Sequence, residues 1–120
     1  MSFVHPQTQV VNLRHCGPAG YDVYVGRACR GCPKGAITLF GNPHPVGKGC
    51  KLCGGMIHDS ASALAAFERY FYERLASDPA FKVAVLSLRG KRIACWCHPD
   101  ACHADIIATY LDCYSEENPP

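Results

Sequence analysis

The 120-residue sequence contains no apolar run long enough to cross a membrane; none approaches the ~20 residues such a helix needs. It also lacks a charge excess. Twelve Lys and Arg stand against ten Asp and Glu, a net charge of +2 with His neutral. That is too little to argue, from charge alone, for a nucleic-acid or membrane surface as partner. The opening "MSFVHPQTQ" has neither a basic n-region nor an apolar h-region, so no secretory signal is read there and a cytoplasmic setting is expected. No internal repeat is present. With 48% hydrophobic and 18% charged residues, the composition excludes a disordered chain. The length suits one domain over residues 1–120. A domain this small buries a modest core and gains from additional staples.

What is abundant is cysteine: nine residues, at 16, 29, 32, 50, 53, 95, 97, 102 and 113. In a reducing compartment such clustered thiols point to metal ligands or catalytic groups rather than disulfides.

"QVVNLRH" (Gln9–His15) and "YDVYVGR" (Tyr21–Arg27) read as strands. The "CGPAG" turn between them is short enough for an antiparallel pair. Residues 27–57 form a Gly-, Pro- and Cys-rich insert, and a loop of that length needs pinning. "HDSASALAAFERYFYERLASD" predicts a helix capped by Asp59 or Ser60, with Leu64, Phe67, Phe71 and Leu75 on one face. A second helix follows over Asp78–Gly90, with Asp78 as cap, Pro79 at the first position and Gly90 as its stop. "KRIACWC" predicts a third strand. "DACHADIIATYLDCY" predicts a last helix, with Asp100 as cap and Ile106, Ile107, Tyr110 and Leu111 on its apolar side. "SEENPP" (115–120) reads as a frayed tail. The expected fold class is α/β: a small two- or three-layer sheet of about three strands with three helices, plus a zinc-pinned Cys-rich insert.

Cys29-x2-Cys32, seventeen residues, then Cys50-x2-Cys53 fits a four-cysteine zinc template. Two thiolates two residues apart converge from a tight turn, and two such turns supply tetrahedral Zn²⁺. Gly31, Gly54 and Gly55 free the backbone for those turns. One variant replaces a cysteine with His44 or His58. The alternatives are unliganded thiols in a loop, or an iron–sulfur centre, whose spacing fits less well.

The second cluster is "RIACWCHPDACH" (Arg92–His103). Cys95 and Cys97 share one strand face with Ile93, and Cys102 and His103 open the last helix. A helix N-terminus beyond a strand end favours anions and thiolates. Three readings stay open: a second metal site from Cys95 or Cys97, Cys102 and a histidine; a thiol or anion-binding active site with Cys97, Cys102 and His103 as catalytic groups; or buried core cysteines beside surface histidines.

"VVNLRH", "DVYVGR", "GNPHPVG" and "GKRIACWCHPDACHADIIA" resemble, in the same order, the small family known as domain of unknown function 4326, found in bacteria and phages. The resemblance implies a compact α/β domain with Arg27, Asn42 and the Cys97–His103 turn near one site. The shorter, cysteine-poor link of other members between "GR" and "GNP" implies that Cys29 and Cys32 belong to an insert. The resemblance supplies no reaction. The expected function is a zinc-binding α/β protein that acts on or binds a nucleotide or nucleic-acid-related phosphate ligand, with Arg27, Asn42 and Lys48 as ligand-binding residues. The alternative is a non-catalytic zinc-stabilised adaptor for nucleic acid or a protein. Whether the chain is an enzyme, and in what oligomeric state it acts, these motifs leave open.

Overall fold

The computed structural model describes residues 8–16, 19–26, 38–44, 46–95 and 102–114. Strand β5 (Arg92–Cys95) is the centre of a three-stranded sheet, flanked by β1 (Gln9–Asn12) and β2 (Val23–Tyr24). Both neighbours run parallel to it, with Val10 and Val23 each opposite Ile93. Ile93, Ala94 and Cys95 are all buried, as expected of a parallel strand covered on both faces.

The antiparallel pairing expected of the first two strands is therefore corrected: β5 lies between them. The strands are also shorter than predicted. β1 stops at Asn12, whose side-chain oxygen accepts the Arg14 N–H at 2.8 Å and turns the chain into the short helix α1 (Leu13–Cys16). The next strand, β2, lies on the far side of β5. Asp22 anchors the return by accepting the Arg92 N–H at 2.8 Å and pairing with its guanidinium at 3.2 Å.

Within the insert, β3 (Gly49–Cys50) and β4 (Met56–Ile57) form an antiparallel hairpin around a 3₁₀ turn at Lys51–Cys53. The three long helices arise where the periodicity puts them. Helix α2 (Ser60–Ser77) is capped by Asp59, which accepts the Ser62 N–H at 2.7 Å. It buries Ala63, Phe67, Phe71 and Leu75, while the expected Leu64 is only half-buried. Helix α3 (Pro79–Leu86) starts at Asp78 and Pro79 as predicted but ends at Leu86. The turn beyond it reaches Gly90, whose φ of 77° needs glycine. Helix α4 runs His103–Cys113. Its cap is Cys102 rather than Asp100, which lies outside the described residues. The Asp105 side chain accepts the Cys102 N–H at 2.9 Å and closes the capping box.

Helix α4 packs on β1 and β5, and α2 packs on α4 and α3. Phe71 joins these layers: its ring lies 5.6 Å from Phe67 on α2, 6.0 Å from Phe81 on α3 and 5.6 Å from Tyr110 on α4. No helix among the described residues is long and apolar enough to cross a membrane.

Phe71→Ala should cost about 3–5 kcal/mol, seen as a fall in the urea midpoint with little change in slope. The Asp78 carboxyl is held below the usual aspartate value, first by the Phe81 N–H and then by Arg74. Such a group stabilises the fold above its unfolded pKa of ~3.9 and loses that contribution as pH falls through its folded pKa. Asp78→Ala should therefore melt earlier than wild type at neutral pH. Thermal melts should show the gap closing as pH drops past ~3.9.

Candidate metal centre

Four side chains from the insert and the start of α2 converge: His44, Cys50, Cys53 and His58. One ligand atom from each lies within 4.8 Å of all the others. Cys50 ends β3, and Cys53 ends the 3₁₀ turn three residues on. The hairpin closes because Gly54 and Gly55 take φ of 65° and 91°, where a side chain is disfavoured. The Gly55 N–H returns to the Cys50 carbonyl at 2.9 Å, which aims both sulfurs at one point.

The contacts have the size of a coordination shell. His44 Nδ1 lies 3.3 Å from Cys50 Sγ and 3.5 Å from Cys53 Sγ, and His58 Nε2 lies 3.3 Å from Cys53 Sγ. Bonds of ~2.3 Å to sulfur and ~2.0 Å to nitrogen at tetrahedral angles give an S···N edge of ~3.5 Å. Cys50, His44 and His58 are buried and Cys53 is partly so. Burial, and then the neighbouring Cys50, push the Cys53 thiol above its ordinary value. Two adjacent sulfurs become thiolates together only with a cation between them. The donor set thus fits a soft divalent ion.

One histidine is held through its ring and the other through its backbone. His58 Nδ1 lies 2.9 Å from Ser62 Oγ, so with Nε2 turned to the sulfurs, Nδ1–H donates to the hydroxyl. The same hydroxyl accepts the Asp59 N–H at 3.1 Å. For His44 the support is Asn42. Its side-chain oxygen accepts the His44 N–H at 2.9 Å, and its amide donates to the Ala63 carbonyl of α2 at 3.0 Å. The Gly47 N–H, bonded to the His58 carbonyl at 2.9 Å, ties the loop to the hairpin.

Of the metal ligands expected from sequence, Cys50 and Cys53 are in this centre. Cys29 and Cys32 lie outside the described residues. His44 and His58 complete a set of four without them. The expectation allowed one histidine in place of one cysteine; the structure brings in both. The pattern His44-x5-Cys50-x2-Cys53-x4-His58 was the available signal. Asn42, expected to bind ligand, spends both ends of its amide on His44 and α2. Lys48 is exposed beside the hairpin. Arg27 and Cys97 lie outside the described residues. Cys102 and His103 do come together, at the corner where β5 meets α4, with Cys95 against Cys102.

Removing the hydroxyl behind His58 should loosen the centre while leaving all four ligands. Ser62→Ala is expected to weaken metal affinity about 10- to 100-fold, measured by competition against a chromophoric chelator.

Comparison with known proteins gives the family. The family model described as "Domain of unknown function (DUF4326)" matches residues 11–113. An uncharacterised 12.4 kDa protein encoded in the nrdA–td intergenic region of Enterobacteria phage T4 is 33% identical over 84 residues, which cover 70% of this chain and 78% of the phage protein. No solved structure matches the chain. The chain, with its Cys/His centre, belongs to the DUF4326 family.

Proposed function

We propose that this protein is a zinc-binding α/β domain whose ion is held by His44, Cys50, Cys53 and His58. The observation that carries the reading is the convergence of two sulfurs and two ring nitrogens within 4.8 Å. A mixed sulfur–nitrogen tetrahedron selects Zn²⁺ over the hard cations Mg²⁺ and Ca²⁺. Four protein ligands fill a tetrahedral shell and leave no position for substrate, so the ion's role is structural. It links the hairpin and His44 to the start of α2, a job that apolar burial does poorly here. Val46, Leu52, Met56 and Ile57 are all exposed, so the hairpin has no core of its own to hold it. Chemistry on the expected nucleotide or nucleic-acid ligand, in this reading, falls to residues elsewhere.

Zinc content of the purified chain, read by atomic emission, should fall by one ion per chain in His44→Ala and in Cys50→Ser. It should be unchanged in the double variant Cys29→Ser/Cys32→Ser. Loss of that ion in Cys29→Ser/Cys32→Ser with His44→Ala unchanged would replace this centre with a four-cysteine one; Cys50→Ser loses it in either case. With free zinc near 1,000 times Kd, linkage supplies about 4 kcal/mol. Chelation should therefore lower the melting temperature by roughly 10–20 °C for a chain of this size.

A further inference from the structure

Away from the hairpin, β5 and α4 bring two further cysteines face to face. Cys95 ends the central strand, Cys102 caps the last helix, and their sulfurs lie 3.3 Å apart. Both are free thiols. Cys95 is 1% exposed and Cys102 4%. We propose that Cys95 and Cys102 are a redox-active dithiol, converted reversibly to a disulfide by a small hydroperoxide that reacts first at Cys102.

The distance between the sulfurs is already short. A disulfide holds its sulfurs at ~2.0 Å, so closing the pair from 3.3 Å takes a movement of roughly 1.3 Å. Neither sulfur has to be delivered by a loop. Cys95 is paired with Asn12 of β1 in the sheet. The Cys102 N–H is held by the Asp105 carboxylate at 2.9 Å. In a reducing compartment a pair of this kind rests as two thiols and is oxidised transiently.

The surroundings of Cys102 make it the sulfur that reacts first. His103 Nε2 lies 2.8 Å from the Val25 carbonyl, and a carbonyl only accepts, so Nε2 carries the proton. Nδ1 then presents its lone pair to Cys102 Sγ at 3.4 Å, where it can serve as the base for that thiol. The Ala104 N–H, in the first turn of α4, reaches the same sulfur at 3.5 Å. A donor at a helix N-terminus favours the thiolate, the form that oxidants attack.

Access selects the oxidant. Cys102 lines a cavity of about 220 Å³ between α2 and α4, shared with Leu64, Glu68, Tyr72, Asp105 and Ile106. A hydroperoxide is small enough to enter it. Exchange with another protein's disulfide needs direct approach to the sulfur, and so little of Cys102 is exposed that such a partner is shut out.

The reaction balances within these groups. Cys102 passes its proton to His103 Nδ1, and the thiolate attacks the terminal oxygen of the hydroperoxide. The S–O bond forms as the O–O bond breaks, and the departing alkoxide takes the proton from His103 and leaves as an alcohol. Cys102 is then a sulfenic acid. The Cys95 sulfur attacks it: the S–S bond forms, the S–O bond breaks, and hydroxide leaves with the Cys95 proton as water. The two thiols lose two electrons and the hydroperoxide gains them. A thiol reductant restores the resting pair.

The test uses the full, zinc-loaded chain with hydrogen peroxide as the probe. After stoichiometric peroxide, remaining thiols are alkylated. Trypsin and an aspartate-directed protease then separate residues 93–99 from residues 100–104. Mass spectrometry should find these two peptides disulfide-linked in wild type and in folded Cys97→Ser, and dithiothreitol should part them. Cys95→Ala should lose the link, and dimedone should trap a sulfenic acid on its Cys102. His103→Gln should form the link about 100-fold more slowly. Zinc content should stay constant while the link forms. Should Cys95→Ala not fold, fragmentation of the wild-type linked peptide shows which cysteine of residues 93–99 carries the bond, and Cys97 there overturns the proposal. The proposal also fails if wild type forms no link, or if the link survives in folded Cys95→Ala or disappears in folded Cys97→Ser. An unchanged rate in folded His103→Gln overturns the part given to the imidazole. Zinc release ahead of any link would place the peroxide chemistry at Cys50 and Cys53 and overturn the proposal as well.

Discussion

The contact between His58 and Ser62 ties the peripheral insert to the packed core. His58 stands immediately before the cap of α2, and its ring nitrogen is 2.9 Å from a hydroxyl of that helix's capping box. One short segment, His58 to Ser62, thus ends the hairpin, orients a candidate metal ligand and starts the helix whose phenylalanines organise the core. Its polar groups satisfy one another: Asp59 accepts the Ser62 amide, and Ser62 accepts the Asp59 amide. If the ring turned away, the hairpin would lose its link to α2, because its own apolar side chains are exposed. Asn42 makes the matching link from the other side, between the His44 backbone and Ala63.

The two Cys/His clusters are assembled in two ways. At the hairpin, glycines with positive φ fold a C-x2-C segment back so that its sulfurs converge, and the histidines come from the flanking loop and strand end. At β5 and α4 no tight turn is needed. A central strand delivers Cys95, a helix cap delivers Cys102, and Val25 at the end of β2 orients His103. The first cluster is local in sequence and peripheral in the fold. The second is assembled from the sheet itself and sits among core residues, where Phe67 packs edge-on against the His103 ring at 5.2 Å.

Legibility in the sequence followed the range of the interactions. Helices α2 and α3 could be read because their caps, Asp59 and Asp78–Pro79, and their 3.6-residue apolar spacing are local signals. The cap of α4 was misread because Asp100 belongs to the usual cap residues and Cys102 does not, although Asp105 three residues beyond Cys102 marks the capping box. The strand pairing was misread because "CGPAG" looks like a hairpin turn. Nothing within residues 9–27 announces that a strand some seventy positions later will lie between the two. Cys50 and Cys53 were legible from their spacing, and His44 and His58 only as substitutes, since the His-x5-Cys-x2-Cys-x4-His pattern competes with the more regular pairing of two C-x2-C segments.

By itself, the sequence determined the α/β class, the positions of the three long helices and the C-x2-C half of the candidate metal centre, each set by chemistry acting over a few residues. Only the tertiary structure decided the parallel order β1-β5-β2, the union of both histidines with Cys50 and Cys53, and the meeting of Cys95, Cys102 and His103. The reason is physical. Strand neighbours are chosen by which segment buries both faces, and ligand sets by where side chains converge in space. Neither quantity exists until the chain has folded.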